Sequence, residues 1–355
     1  MGDMVKGNIA IAEAAVRAGI EVYAGYPITP STEVMEYLSG RLPELGRTFI
    51  QSESELAAIN MVMGVAACGR RVLTASSGPG ISLKQEGISY MNQFDYPCVI
   101  LNVVRWGNGL GSLDGAQTDY LRETRGGGNG DYRNIVLCPS TVQESVDLMY
   151  EAFDLAEKYR CIVEIMTDSG LGHMMEPCEY PEFRELKKCE WGLDGTYKVP
   201  RSDFLNRNIR AESDEYIRKV DTMRCNEQRW ESIATEDADY VFVAYGMCGR
   251  VMRGLVQELR AAGEKVGLLR PISAWPFPEK AFEALRKNAP SLKGLITVET
   301  NGEGQMVEDV AMFAKKHGMG AVPVYALAYV CGVPKDDTVK ADFAKVKNGE
   351  IKEVF

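Results

Sequence analysis

The run from Pro97 to Val104 is apolar except for Asn102, and it limits the folds open to this chain more than any other stretch. A half-exposed strand alternates apolar and polar residues, whereas a nearly continuous apolar run of this length marks a strand covered on both faces. Such strands belong to parallel sheets whose crossovers are helices. The surrounding chain supplies those crossovers. Helical patterns over 8–18, 31–39, 55–68, 80–91 and 141–159 alternate with strand-like runs over 20–24, 48–51, 71–75, 135–137 and 161–167. The fold class that follows is α/β, with a doubly wound parallel sheet. Between these elements, residues 107–130 form a Gly-rich stretch that reads as a long functional loop with a short helix near 117–122.

The periodicity fades from about residue 170 to 236, where Trp191, Tyr197, Arg201, Arg207 and Trp230 replace the strand pattern. So many aromatic residues argue for an ordered excursion and against a disordered linker. A second α/β unit begins at Asp239, with strands over 240–245, 265–269, 292–299 and 322–326 and helices over 248–261, 278–287 and 304–317. The expected organisation is therefore one domain over 1–182, a linking excursion over 183–236 and a second domain over 237–355. A chain of 355 residues is long enough for two such cores.

Charge and cysteine usage narrow the function classes. A formal net charge of −10 argues against nucleic-acid binding, which wants a basic face. No stretch approaches the roughly 18 uninterrupted apolar residues of a membrane span. The opening residues run straight into a helical pattern without a signal-peptide profile, so a cytoplasmic location is expected. The nine cysteines include no C-x-x-C pair, which points to reduced, mostly buried thiols and away from an iron–sulfur cluster held by this chain alone. With only His173 and His317, no histidine-based metal site is expected.

Three short constellations carry candidate chemistry. In Gly25-Tyr26-Pro27-Ile28-Thr29-Pro30-Ser31-Thr32, each proline disfavours αR for the residue before it. Thr29 suits a helix N-cap with Pro30 at the first helical position. That places a hydroxyl and free N–H groups at the carboxyl end of a strand, where open α/β sheets bind ligands. Glu55 opens a helix rich in small residues, and a carboxylate there is either an ordinary first-turn acid or a functional group at the mouth of the helix. Arg105 ends the apolar run, and its planar fork is suited to gripping a carboxylate. The turn Ser76-Ser77-Gly78-Pro79-Gly80 lacks the lysine of a phosphate-binding loop. Gly107-Asn108-Gly109-Leu110-Gly111 and Gly302-Glu303-Gly304 lack the spacing of a dinucleotide site.

The strings GYPITPST, QSESELAAINMVMG, TASSGPGISLKQEGISY, NVVRWGNGLG and RGGGNGDYRNIVLCPSTVQE, in that order, resemble the alpha subunit of 2-oxoacid:ferredoxin oxidoreductases, most of all the branched-chain (2-oxoisovalerate) type. The resemblance is dense over about 5–180 and thinner at LRPISAWPFP and ETNGEGQM. It implies a pyrimidine-binding domain for thiamine diphosphate followed by a transketolase C-terminal-like domain. Glu55 would hydrogen-bond the aminopyrimidine ring, with Tyr26, Pro27, Ile28, Ser77, Gly78 and Pro79 lining the cofactor. Thr29 and Arg105 would hold the 2-oxoacid. No Gly-Asp-Gly motif is present, so the diphosphate and its magnesium would belong to a beta subunit. The [4Fe–4S] clusters would lie on partners, among gamma and ferredoxin-like delta subunits. Asn129 stands where the family often carries histidine. The implied activity is coenzyme-A-dependent oxidative decarboxylation of a branched-chain 2-oxoacid, with electrons passed to ferredoxin. The same chemistry on 2-oxoglutarate or an aryl pyruvate stays open, as does a non-catalytic scaffold role.

Overall fold

The computed structural model describes residues 2–186, 189, 191–193 and 208–355, so Tyr197, Arg201 and Arg207 of the central excursion lie outside the described residues. In chain order the first unit contains β1 (Asp3–Lys6), α1 (Gly7–Arg17), β2 (Val22–Gly25), α2 (Thr32–Glu44), β3 (Thr48–Gln51) and α3 (Glu55–Ala67). It continues with β4 (Val72–Ser76), α4 (Pro79–Gln93), β5 (Cys98–Val104), α5 (Tyr120–Arg125), β6 (Ile135–Leu137) and α6 (Val142–Tyr159). It closes with β7 (Ile162–Asp168), α7 (Ser169–His173) and β8 (Met175–Cys178). Then come α8 (Ile209–Asn226), β9 (Trp230–Ile233), β10 (Tyr240–Val243), α9 (Gly246–Ala261), β11 (Val266–Pro271) and β12 (Ser273–Trp275). The last elements are α10 (Glu279–Asn288), β13 (Gly294–Glu299), α11 (Met306–Lys316), β14 (Val324–Ala328) and α12 (Asp336–Lys347).

The larger sheet has the strand order β12-β6-β7-β5-β4-β2-β3. From β6 to β3 every pairing is parallel. The apolar run is its strand β5, buried at all seven positions as a doubly covered strand must be. Helix α6 packs an apolar stripe from Val142 to Tyr159 against this sheet, and Thr141 caps it by accepting from the N–H of Glu144. The smaller sheet, β14-β13-β10-β11-β9, is parallel except for its edge strand β9.

The two units are joined by more than chain. After β11 the backbone crosses to the larger sheet, where β12 pairs antiparallel with β6. Arg270, 3% exposed, spans the junction with bonds to Glu144 on α6 at 2.7 and 3.0 Å and to Glu231 on β9 at 2.8 Å.

The structure corrects two readings of local sequence. Thr29 is not an N-cap: the Thr29–Pro30 bond is cis, and the N–H of Ser31 donates to the Ile28 carbonyl at 3.0 Å. That is a type VI turn with Pro30 third, and α2 starts beyond it with Ser31 at its N-cap. The excursion also holds a full helix, α8, whose mostly charged surface hides its apolar side from a periodicity count. Among its described side chains only Val220 and Met223 are buried.

Candidate active site

Strands β5, β4, β2 and β3 are consecutive in the larger sheet, and the segments leaving their carboxyl ends carry the candidate residues side by side. From β2 comes the turn 26–31, from β3 the loop to Glu55, from β4 the turn 76–80, and from β5 Arg105 itself. This is the edge at which open α/β sheets bind ligands.

Ser54 caps α3 by accepting from the N–H of Ala57 at 3.1 Å. Glu55 therefore falls in the first helical turn, with its carboxylate at the positive end of the helix. The side chain is 7% exposed. It lies against α4: a Cβ on Gly80 would stand 2.7 Å from Glu55 Oε1 and 2.3 Å from Ser76 Oγ. Only glycine fits there.

On the other flank of the same turn, Gly78 has φ 45° and ψ −115°, a conformation closed to other residues. A Cβ here would approach Arg105 Nε to 3.2 Å. Pro79 follows at the first position of α4, where its missing N–H costs nothing. The five-residue turn is thus wedged between Glu55 and Arg105. The hydroxyls of Ser76 and Ser77, both fully buried, have no hydrogen-bond partner among the described residues.

Arg105 is 6% exposed. It donates from Nη1 to the Thr29 carbonyl at 2.7 Å and from Nη2 to the Leu110 carbonyl at 2.8 Å, while Nε has no partner among the described residues. Among the described residues no carboxylate pairs with it. A buried guanidinium without a counter-charge is expensive unless a ligand provides one. Thr29 therefore contributes its carbonyl to this group, and its side chain stays exposed beside Tyr26. Pro27 and Ile28 are half-buried between them.

Arg122 supports the turn from behind. It donates to the Gly78 carbonyl at 3.2 Å and to Ser82 Oγ at 3.0 Å, and pairs with Asp119 and Glu123 at 2.5 Å each. Beneath it Asn102 donates to Asp119 at 3.2 Å and to Glu164 at 3.1 Å. Glu164 is fully buried beside the Glu123 carboxylate, and burial, then that neighbouring charge, push it well above the ordinary carboxyl range. The Glu123 carboxyl is raised as well, by burial first, with the Arg122 guanidinium at 2.5 Å acting against that rise. Neither Arg122 nor Glu123 stands out by motif. Asn102 and Glu164 do carry a signal, as polar residues inside otherwise apolar strand runs.

Asn129 lies elsewhere. Its carbonyl accepts from the Ser89 hydroxyl, and it lines a cavity of about 350 Å3 with Asn92, Tyr132 and Tyr216. That cavity shares no lining residue with the Glu55–Arg105 group.

Residues 13–239 match the family model for the thiamine diphosphate-binding part of pyruvate flavodoxin/ferredoxin oxidoreductases, and residues 238–334 match core domain II of pyruvate:ferredoxin oxidoreductase. The chain is 46% identical over 316 residues to the ketoisovalerate oxidoreductase subunit VorB of Methanothermobacter thermautotrophicus, covering 87% of this chain and 89% of the relative. It is 34% identical over 344 residues to the 2-oxoglutarate synthase subunit KorA of Methanocaldococcus jannaschii, covering 88% and 92%. The solved 2-oxoglutarate:ferredoxin oxidoreductase from Magnetococcus marinus superposes with a TM-score of 0.82 at 24% identity over 97% of this chain, which spans 65% of that longer one. A split-gene transketolase superposes with a TM-score of 0.58 at 13% identity over 95% of this chain and 93% of its own. These two likenesses are of fold: two α/β units in the transketolase manner. The chain belongs to the 2-oxoacid:ferredoxin oxidoreductase family and is one subunit of such an enzyme.

Proposed function

We propose that this chain supplies the pyrimidine-side half of a shared thiamine diphosphate site and the carboxylate-binding arginine for a branched-chain 2-oxoacid. The observation that carries the reading is Arg105: a buried guanidinium with an open Nε and no carboxylate partner among the described residues, one turn away from a buried glutamate. Residues 1–182 would form the cofactor-side domain, 183–236 the connection and 237–355 the transketolase C-terminal-like domain.

The residues present fit the cofactor. The unpartnered Ser76 and Ser77 hydroxyls and the side-chain-free flanks of Gly78 and Gly80 leave room and hydrogen-bonding capacity beside Glu55. Glu55 would hydrogen-bond the ring nitrogen of the aminopyrimidine, with Tyr26, Pro27, Ile28, Ser77, Gly78 and Pro79 around the ring. When bound, the cofactor supplies the nucleophile and the electron sink that loss of CO2 requires. Arg105, steadied by the Thr29 and Leu110 carbonyls, would hold the carboxylate that leaves as CO2, and Thr29 would border it. Aligning the scissile bond before it breaks is where such binding aids the rate.

A partner must complete the site. The sequence carries no Gly-Asp-Gly motif for the diphosphate and magnesium, and the exposed side chains of Tyr26, Leu56, Leu83 and Leu110 flank the buried polar group. Apolar exposure around a polar pocket suits a protein contact. A beta subunit would sit there, with gamma and delta subunits carrying the [4Fe–4S] clusters. In the assembled enzyme, 2-oxoacid and coenzyme A would give acyl-CoA and CO2, two electrons passing singly to ferredoxin. The higher identity to the ketoisovalerate-type relative than to the 2-oxoglutarate-type one favours 2-oxoisovalerate as the substrate.

The test is affinity purification of the tagged chain from its native cell, followed by an acyl-CoA assay with a redox dye over a panel of 2-oxoacids. The expected result is co-purification of cluster-bearing partners, highest kcat/KM on 2-oxoisovalerate, and loss of turnover in Glu55→Ala with folding intact. Full activity in that variant would overturn the reading.

A further inference from the structure

Lys84 is a charged residue with zero exposure in the interior of α4. Its Nζ donates to Thr74 Oγ1 at 3.2 Å, and among the described residues it has no carboxylate at contact distance. A lysine placed so gives up its hydration, and a methionine would fill the same space without that loss. What surrounds it explains why a charge sits there. Lys84 follows Gly80 by one helical turn, and Gly80 is where α4 presses on Glu55 of α3. Thr74 and Ser76 point to the same face of β4, since side chains alternate along a strand. Lys84 anchors on the first, and Glu55 lies beside the second.

Three elements face the ammonium. From β4 comes the neutral Thr74 hydroxyl. From β5 comes Cys98, whose thiol burial drives far above its usual range, so it stays uncharged. From α3 comes Glu55. Lys84 is pushed down to about 8, burial lowering it and the Glu55 charge offsetting only part of that fall.

We propose that Lys84 is a positioning residue for Glu55: its buried ammonium, anchored on Thr74, is the counter-charge that draws the Glu55 carboxylate to the floor of the site beside Ser76. The inference rests on the reading of Glu55 given above, and extends it to a residue that touches neither cofactor nor substrate. By linkage, whatever Glu55 does to the proton affinity of Lys84, Lys84 does equally to that of Glu55.

The experiment is an NMR titration of the full chain labelled with 13C at lysine Cε, the Lys84 resonance assigned by its disappearance in Lys84→Met and, independently, in Lys84→Gln. The expected result is that Glu55→Gln moves the Lys84 midpoint to lower pH by half a unit or more, while Glu86→Gln, an exposed acid on the same helix, leaves it in place. An unmoved midpoint in Glu55→Gln overturns the coupling. In the assembled complex, Lys84→Met is expected to move the acid limb of the kcat/KM profile to higher pH with its melting temperature unchanged or raised. A profile that stays in place overturns the positioning role even where the coupling is found. Neither readout depends on Glu55→Ala being inactive, so failure here and failure of the functional reading are separable.

Discussion

Arg105 donates from Nη1 to the backbone carbonyl of Thr29 at 2.7 Å and so ties the end of β5 to the turn that follows β2. The link is between a side chain and a main-chain atom, so substituting Thr29 leaves it intact and substituting Arg105 removes it. Arg105→Lys keeps the charge but loses the fork. The expected outcome is a rise of about tenfold or more in KM for the 2-oxoacid, the size of one charge-assisted bond, with kcat also reduced. Thr29→Val is expected to change KM by less than Arg105→Lys does. Steady-state kinetics of the purified complex check both.

Gly78 is held to glycine by two independent features. Its φ of 45° lies in the left-handed region, which costs a side chain about 1–3 kcal/mol. A Cβ would also stand 3.2 Å from Arg105 Nε. Gly78→Ala is therefore expected to lower the melting temperature and to weaken 2-oxoacid binding together. Gly254→Ala, at an open position in helix α9, is expected to leave kinetics unchanged and to raise stability slightly through helix propensity. Thermal melts and KM values for the two variants separate strain from any general effect of added methyl groups.

What could be read in the residues, and what could not, follows from how far apart the cooperating groups lie. Strand β5 is legible because burial on both faces leaves an apolar run, and Glu55 and Pro79 mark helix starts by local chemistry. The fate of Thr29 was not legible. Its N-cap reading rests on the residues beside it, whereas the Ser31 N–H closes a turn onto the Ile28 carbonyl and α2 starts at Thr32. Helix α8 is obscured by its charged surface, and β12 by its three-residue length and its pairing with a strand of the other unit. Lys84 looks like any helix lysine until α4 is laid on α3 and β4. Local rules find the elements; the polar contacts at the site are made across them.

Arg270 is one of the ionic ties between the two units, beside Arg125–Asp309 and Arg250–Glu176. It is nearly buried and pairs with Glu144 on α6 and Glu231 on β9. Glu231 is held below its ordinary range; burial acts in the opposite direction and is outweighed by Arg270 and Arg253. Removing Arg270 leaves Glu144 without this partner, while Glu231 is part-exposed and keeps Arg253. Arg270→Ala is expected to destabilise the chain by about 1–3 kcal/mol, and Arg270→Met by less, because its stem still packs. Denaturant unfolding of the two variants measures the difference.

Glu164 gives a prediction in pH whose sign is fixed by its surroundings. Its carboxyl is raised well above the ordinary value by burial and by the Glu123 carboxylate, so the folded chain keeps a proton that the unfolded chain releases. For a group raised in this way, the stability it provides is complete below its unfolded value of 4.5 and is lost as pH rises towards the folded value. Glu164→Gln retains a donor towards Glu123 and an acceptor for Asn102 while removing the proton. The variant is expected to be more stable than the wild type at pH 7.5, with the advantage shrinking towards pH 4.5. Glu164→Leu leaves Asn102 and Glu123 without their partner, and is expected to be less stable than Glu164→Gln at every pH. Denaturant curves of the three proteins from pH 5 to 8 decide the matter: a Glu164→Gln advantage that grows as pH falls would mean the shared proton is not on this pair.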